Sequence, residues 1–89
     1  LIKVRVQGLC QRFSLGESSK CDLALETKVD NTQTQVVAYT KTRVNSQFAL
    51  EAYIQVYKKQ RVKFAVLNKS GGDRYFSDIS FVMVRLKNN

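Results

Sequence analysis

Apolar and polar residues alternate along most of this 89-residue chain. Ile2, Val4 and Val6 alternate with charged or amide residues, and the same period of two recurs over residues 21–26, 48–56 and 62–66. A β-strand sends successive side chains to opposite faces, so each run predicts a strand with one apolar face and one wetter face. The pattern therefore predicts a mainly β protein.

Alternation alone does not decide the structure of three further segments. Residues 36–44 (VVAYTKTRV) are rich in β-branched side chains, which favours a strand. Residues 76–86 carry apolar side chains on both parities, which indicates either a bulge near residues 79–81 or a strand buried on both faces. Residues 44–57 contain good helix formers after Asn45, a candidate helix cap, but their apolar positions fit a strand better than a helix.

Turn-forming Ser, Asn, Asp and Gly separate these runs at residues 15–19, 30–32, 45–47 and 68–73. The expected fold is all-β, a single domain over residues 1–89 built as an antiparallel β-sandwich of about six to eight strands. A small β-barrel is the alternative. Because the chain starts in mid-pattern without Met, we expect it to be a fragment of a longer protein.

The amino-acid composition excludes several kinds of catalytic and metal-binding site. The chain has no histidine and two cysteines, which excludes a histidine-activated nucleophile and a zinc site built from cysteines alone. Its carboxylates are scattered, and the Gly-rich segment 68–74 (NKSGGDR) lacks phosphate-loop spacing. We therefore expect no enzyme activity, no cofactor, no metal and no small-molecule substrate.

The state of the two cysteines, bonded or free, indicates the cellular compartment of the protein. A disulfide between Cys10 and Cys21 would close one short loop, but Cys21 lies on an apolar stripe, which is typical of a buried thiol. Small domains that depend on disulfides usually carry more cysteines. We therefore expect free thiols and an intracellular protein, either cytoplasmic or peripheral to a membrane, since no apolar run is long enough to span one.

The charge is strongly positive and unevenly distributed. Lys and Arg number 15 against 7 Asp and Glu, for a net charge of +8. Residues 1–40 carry +1 and residues 41–89 carry +7. Such asymmetry predicts an anionic partner, namely lipid headgroups, nucleic acid or an acidic protein surface.

The order and spacing of the runs over residues 2–86 is similar to a C2 domain. Residues 2–9 resemble the family's opening L-x-V-x-V strand, and residues 62–68 (VKFAVLN) resemble its L-x-x-x-V-x-D strand. Residues 45–48 (NSQF) stand where the family has N-P-x-W, and residues 73–77 (DRYFS) where it has a D-x-x-I-G entry. Ser46, Phe48 and Ser77 thus replace the family's Pro, Trp and Gly.

The resemblance implies a sandwich whose loops 10–20, 44–47 and 68–74 meet at one end, where the family binds calcium. Those loops offer Glu17 and Asp73, and Asn68 replaces the usual Asp, so we expect no calcium binding. The resemblance also implies that a basic strand binds phosphoinositide headgroups. The expected binding surface combines that strand with the basic residues that follow it: Tyr39, Lys41, Arg43, Lys58, Lys59, Arg61 and Lys63. The plainer alternative is that these lysines guard a sheet edge and keep the domain soluble.

The loops supply a second candidate surface. Phe13 could insert into a bilayer beside Arg12, with Lys69 and Arg74 on the neighbouring loop. We favour the alternative in which Phe13 folds back over the open end of the sandwich, because a small domain needs its aromatic side chains for the core.

Three functions follow from these observations. The leading hypothesis is a non-catalytic, calcium-independent, C2-like module that docks a larger protein to anionic membrane lipid or a partner protein through a basic face. The alternative is a scaffold domain that contacts other proteins or self-associates through an edge strand, since no proline blunts an edge. The second alternative is a small nucleic-acid-binding β-barrel.

Overall fold

The computed structural model describes residues 1–86, which form six strands and no helix. The strands are β1 (Ile2–Arg12), β2 (Lys20–Val29), β3 (Gln35–Arg43), β4 (Ser46–Ile54), β5 (Val62–Asn68) and β6 (Arg74–Arg85). The all-β prediction is confirmed. Residues 46–54, where a helix was the competing interpretation, form a strand because their apolar side chains alternate and every second one is buried.

The strands form two antiparallel three-stranded sheets. Sheet A has the order β4-β1-β6, and sheet B has the order β3-β2-β5. The core lies between the sheets, where Val4 and Val6 of β1 meet Leu23 and Leu25 of β2 and Leu50 of β4. The molecule is therefore a small β-sandwich with β1 and β2 as the central strands.

The two sides of this sandwich differ. On one side a tight turn at residues 44–45 carries the chain from sheet B to sheet A, and β3 packs against β4. On the other side β5 and β6 are not hydrogen-bonded neighbours. The rings of Phe64 and Phe81 bridge them, with centroids 5.4 Å apart. The sandwich is thus closed along β3 and β4 and open along β5 and β6.

A bulge in β6 explains most of its mixed parity. The pairing with β1 shifts by one residue opposite Gly8, and Asp78 at that point has a φ of 54°. The shift places Phe76, before the bulge, on the same core-facing side as Phe81 and Met83, after it. A bulge was predicted near residues 79–81, and it lies one residue earlier.

Gly8 permits this bulge because β6 approaches β1 closely there. A Cβ at residue 8 would lie 2.6 Å from Ile79 Cδ1 and 3.1 Å from the carbonyl oxygen of Ser77. The backbone oxygen cannot move without disturbing the strand pairing. Glycine is therefore the residue that lets the bulged strand lie this close.

The expectation of free thiols is wrong. Cys10 of β1 and Cys21 of β2 form a disulfide in the core, with Cα atoms 6.7 Å apart and no exposed surface on either residue. The bond joins sheet A to sheet B. Disulfides persist mainly in oxidising compartments, so the expected intracellular location loses the observation on which it depended.

Replacing both cysteines, Cys10→Ala with Cys21→Ala, should lower the free energy of unfolding by about 3 kcal/mol, because the bond restricts the unfolded chain. Guanidinium unfolding followed by fluorescence or circular dichroism measures the change. Wild-type protein treated with reductant is the matched control, since it keeps both side chains and should lose a similar amount. A double variant as stable as oxidised wild type would contradict a structural role for the bond.

Candidate binding surfaces

The residues predicted as one basic surface lie in two separate regions. We call the end of the sandwich where β1 begins the lower end, and the opposite end, with residues 13–19, 44–45 and 69–73, the upper end. Lys41 and Arg43 lie on the outer face of sheet B towards the upper end. Lys58 and Lys59 lie in the turn between β4 and β5 at the lower end. The sequence pattern correctly grouped the residues within each region, but it could not show that strand pairing places the two regions at opposite ends of the sandwich.

The upper region, on β3, is partly neutralised. Lys41 lies directly opposite Asp22 of β2, and Arg43 lies opposite Lys20. The Nη2 of Arg43 donates a hydrogen bond to the hydroxyl of Ser19 over 3.3 Å. Asp22 therefore offsets part of the positive charge that this strand was predicted to offer.

Tyr39 shares the outer face with Lys41 and is 54% exposed. Tyr53, by contrast, lies on the outer face of sheet A, because β4 belongs to the other sheet. The tyrosines therefore cannot form one continuous stripe with the basic residues of β3.

The lower end gathers more cations. Lys63 of β5 lies directly opposite Lys28 of β2 on the outer face of sheet B. Five of the cationic residues at this end form what we call the lower basic cluster: Lys28, Lys58, Lys59, Arg61 and Lys63. Sequence reasoning missed Lys28, although its place in the alternation of β2 was the available signal.

Hydrogen bonds donated by backbone amides fix the position of the β4–β5 part of this cluster. The amide of Arg61 donates to Asp30 Oδ1 over 2.8 Å, and the amide of Asp30 donates to the carbonyl of Arg61 over 2.7 Å. The amide of Gln60 donates to the carbonyl of Tyr57, closing the turn that holds Lys58 and Lys59. These bonds tie the β4–β5 connection to the end of β2.

An open groove lies beside the lower basic cluster. It has a volume of about 840 Å³ and runs between the start of β1, the turn after β4 and the end of β6. The aliphatic lining comes from Ile2, Val56 and Leu86, and the positive charge comes from Lys58, Lys59 and Arg85. The lower end therefore offers positive charge and apolar surface together.

The loop that follows β1, at the upper end, does not cover the core as expected. Phe13 does not fold back over the core, since it is 69% exposed, and Leu15 is 88% exposed. The ring of Phe13 makes an edge contact with Tyr75, with centroids 6.1 Å apart. The side chain of Arg74 lies beneath this loop and contacts Glu17 and Ser18.

Arg74 is a structural residue of the upper end. Its side chain has no exposed surface, and it donates to the carbonyls of Lys20 over 2.8 Å and Ser18 over 2.9 Å. It also pairs with Glu17 over 3.3 Å. Arg74 therefore holds the loop in place and is removed from the surface predicted to face a membrane.

The other predicted loop cations differ in exposure. Arg12 is half-buried and donates to the carbonyl of Glu17 over 3.1 Å, whereas Lys69 is exposed. The Glu17 carboxylate accepts from Arg74 and from the amide of Phe13. Within residues 1–86, no group of three Asp, Glu, Cys or His side chains is placed to hold a metal ion.

The outer face of sheet A carries a compensated charge cluster. Glu51 of β4 lies 3.0 Å from Arg5 and 3.6 Å from Lys3 of β1. The hydrogen bond from Arg5 is the main cause that lowers the pKa of Glu51 below its ordinary value, with Lys3 adding to the effect. These two cations already have a partner, so this face is a weaker candidate for an anion.

No family model, curated protein or solved structure matches this chain. The part of the chain that the structure describes contains no helix able to cross a membrane. The function must therefore be inferred from the surfaces themselves.

Arg74→Leu should destabilise the domain by about 3 kcal/mol, because it leaves Glu17 without this partner and removes the donor to three carbonyls, those of Ser18, Lys20 and Asp73. Arg43→Leu is the control, an exposed arginine whose loss should cost less than about 0.5 kcal/mol. Denaturant unfolding of both variants measures the difference. Equal effects would contradict the structural role assigned to Arg74.

Proposed function

We propose that this domain is a non-catalytic, calcium-independent, C2-like module that docks a larger protein onto an anionic lipid surface. The lower basic cluster is the contact that does so. One observation carries the proposal: five cationic side chains gather at the end of the sandwich where a groove also exposes aliphatic surface.

Charge and shape together favour lipid over the alternatives. Each Lys or Arg near an anionic membrane contributes about 1 kcal/mol, and the five cations outweigh the one carboxylate among them, that of Asp30, which leaves a useful peripheral contact. Tyr57 is 68% exposed in the same turn, and an exposed tyrosine suits the boundary between headgroups and acyl chains. The aliphatic lining of the groove suits a glycerol or acyl segment better than the stacked bases of a nucleic acid.

The upper end supports docking without calcium. In a calcium-dependent domain, loop carboxylates remain available to a cation that bridges protein and lipid. Here Glu17 is held by Arg74, and Arg12 bonds to the backbone of the same residue. The lower basic cluster attracts phosphate directly and needs no bridging ion.

Reversing the charge at the lower end should weaken vesicle binding more than the same reversal on β3. We expect Lys58→Glu with Lys59→Asp to reduce affinity for phosphatidylserine vesicles by about 30-fold or more. Aspartate is chosen at residue 59 because Lys59 has a φ of 70°, which Asp tolerates. Lys41→Glu with Arg43→Glu is the matched control, with the same change of charge and a smaller expected loss.

Co-sedimentation at low salt, in calcium and in EDTA, measures these affinities. The proposal requires wild-type binding that needs the acidic lipid and is equal in both buffers. Wild-type protein that stays in the supernatant would overturn it, as would a greater loss in the β3 variant. Preferential binding to single-stranded nucleic acid in a parallel assay would favour the nucleic-acid alternative instead.

A further inference from the structure

Strand β6 has one free edge and a long apolar stretch. It pairs with β1 on one side, and no strand of residues 1–86 pairs with its other side. Residues 79–84 (ISFVMV) contain no charge, and their large apolar side chains are each about half exposed: Ile79 53%, Phe81 48%, Val82 49%, Met83 56% and Val84 46%. An edge of this kind is a template for another strand.

The other three edges are protected. Lys41 and Arg43 project from β3, and Lys63 projects from β5. The edge strand β4 is packed against β3 of the opposite sheet. Charged side chains and covering elements are the usual means of preventing strand addition. Strand β6 has neither between Asp78 and Arg85.

We propose that β6 pairs antiparallel with β6 of a second copy of this chain, joining the two A sheets into one six-stranded sheet. The ends of the apolar stretch support this partner and this direction. Asp78 precedes the stretch and Arg85 follows it, and neither forms an ion pair within residues 1–86. Antiparallel pairing brings Asp78 of each copy beside Arg85 of the other, whereas parallel pairing opposes like charges.

In a two-fold symmetric pair, the core-facing side of β6 stays in the core and its outer side stays outside. An axis perpendicular to the sheet maps each face onto itself. Phe81 and Met83, which lie opposite core residues of β1, then continue the core of both molecules. With the axis at Phe81 or Val82, Asp78 falls within one residue of register with the second copy's Arg85.

The distribution of charge favours a second copy over an acidic partner. Lys58 and Lys59 of the lower basic cluster reach β6 only at its last residue, Arg85, with which they line the groove, and the apolar stretch before it carries no charge. An edge with one acidic end, one basic end and an apolar stretch between them matches a second copy of itself in both charge and hydrophobicity. It offers no excess charge that would select an anionic protein.

The test compares two glutamate substitutions on the outer face of sheet A. Val82→Glu lies on β6 opposite Arg5, and Tyr53→Glu lies on the other edge strand, β4, opposite Lys3. Both introduce a carboxylate opposite a cation of β1, so both should leave the monomer folded. Only Val82→Glu places a charge in the proposed interface.

Sedimentation equilibrium of the full chain over a concentration series, without lipid, measures association. We expect wild type and Tyr53→Glu to dimerise, and Val82→Glu to dissociate at least about tenfold more readily. Circular dichroism melting verifies that each variant is folded. Wild type that stays monomeric overturns the proposal, and so does a Val82→Glu variant that is folded and dimerises as well as wild type. Because no lipid is present, neither outcome depends on the proposed docking.

Discussion

The disulfide between Cys10 and Cys21 joins the central strand of each sheet, and the arrangement of the other four strands depends on those two. Each central strand is hydrogen-bonded on both sides, so residues 1–86 form two sheets with two edges each. A domain of this size buries a modest share of its surface, which makes a covalent link across the core valuable. The same link holds the inner faces of the two sheets together, which leaves the outer faces, the edges and the ends of the sandwich for binding.

Closing the sandwich along β3 and β4 leaves the opposite side open, and this asymmetry separates the two proposed contacts. Cations collect at the lower end, where the β4–β5 turn is tied to Asp30. Apolar side chains remain on β6. In the proposed dimer the axis perpendicular to sheet A reverses the strand direction, so the lower ends of the two copies, with their grooves and with Lys58 and Lys59, point in opposite directions. The dimer therefore does not present both lower basic clusters to one flat surface, and each copy docks independently.

Alternation predicted the strands because every second residue must be buried, and it predicted the bulge of β6 because one parity could not hold Phe76 and Phe81 together. It did not predict which strands share a sheet. That is why Lys41 was grouped with Lys58 and Lys59, although strand pairing places them at opposite ends of the sandwich. The disulfide was missed for a related reason, since the pattern placed Cys21 on an apolar stripe but assigned Cys10 to a loop, and it did not bring β1 against β2.

Arg74 shows a different limit of sequence reasoning. A charged residue beside a Gly-rich loop is usually exposed, but here three polar partners compensate its burial. Those partners come from residues 17–20, more than fifty positions earlier in the chain. No local pattern contains that contact.

The location of the anionic contact is the central claim, and amide chemical-shift mapping during titration with phosphatidylserine nanodiscs tests it most directly. The account predicts perturbations concentrated at residues 28, 57–63 and the start of β1, with little change at residues 41–43. Perturbations centred on residues 13–15 and 69–73 at the upper end, or on β3, would contradict it.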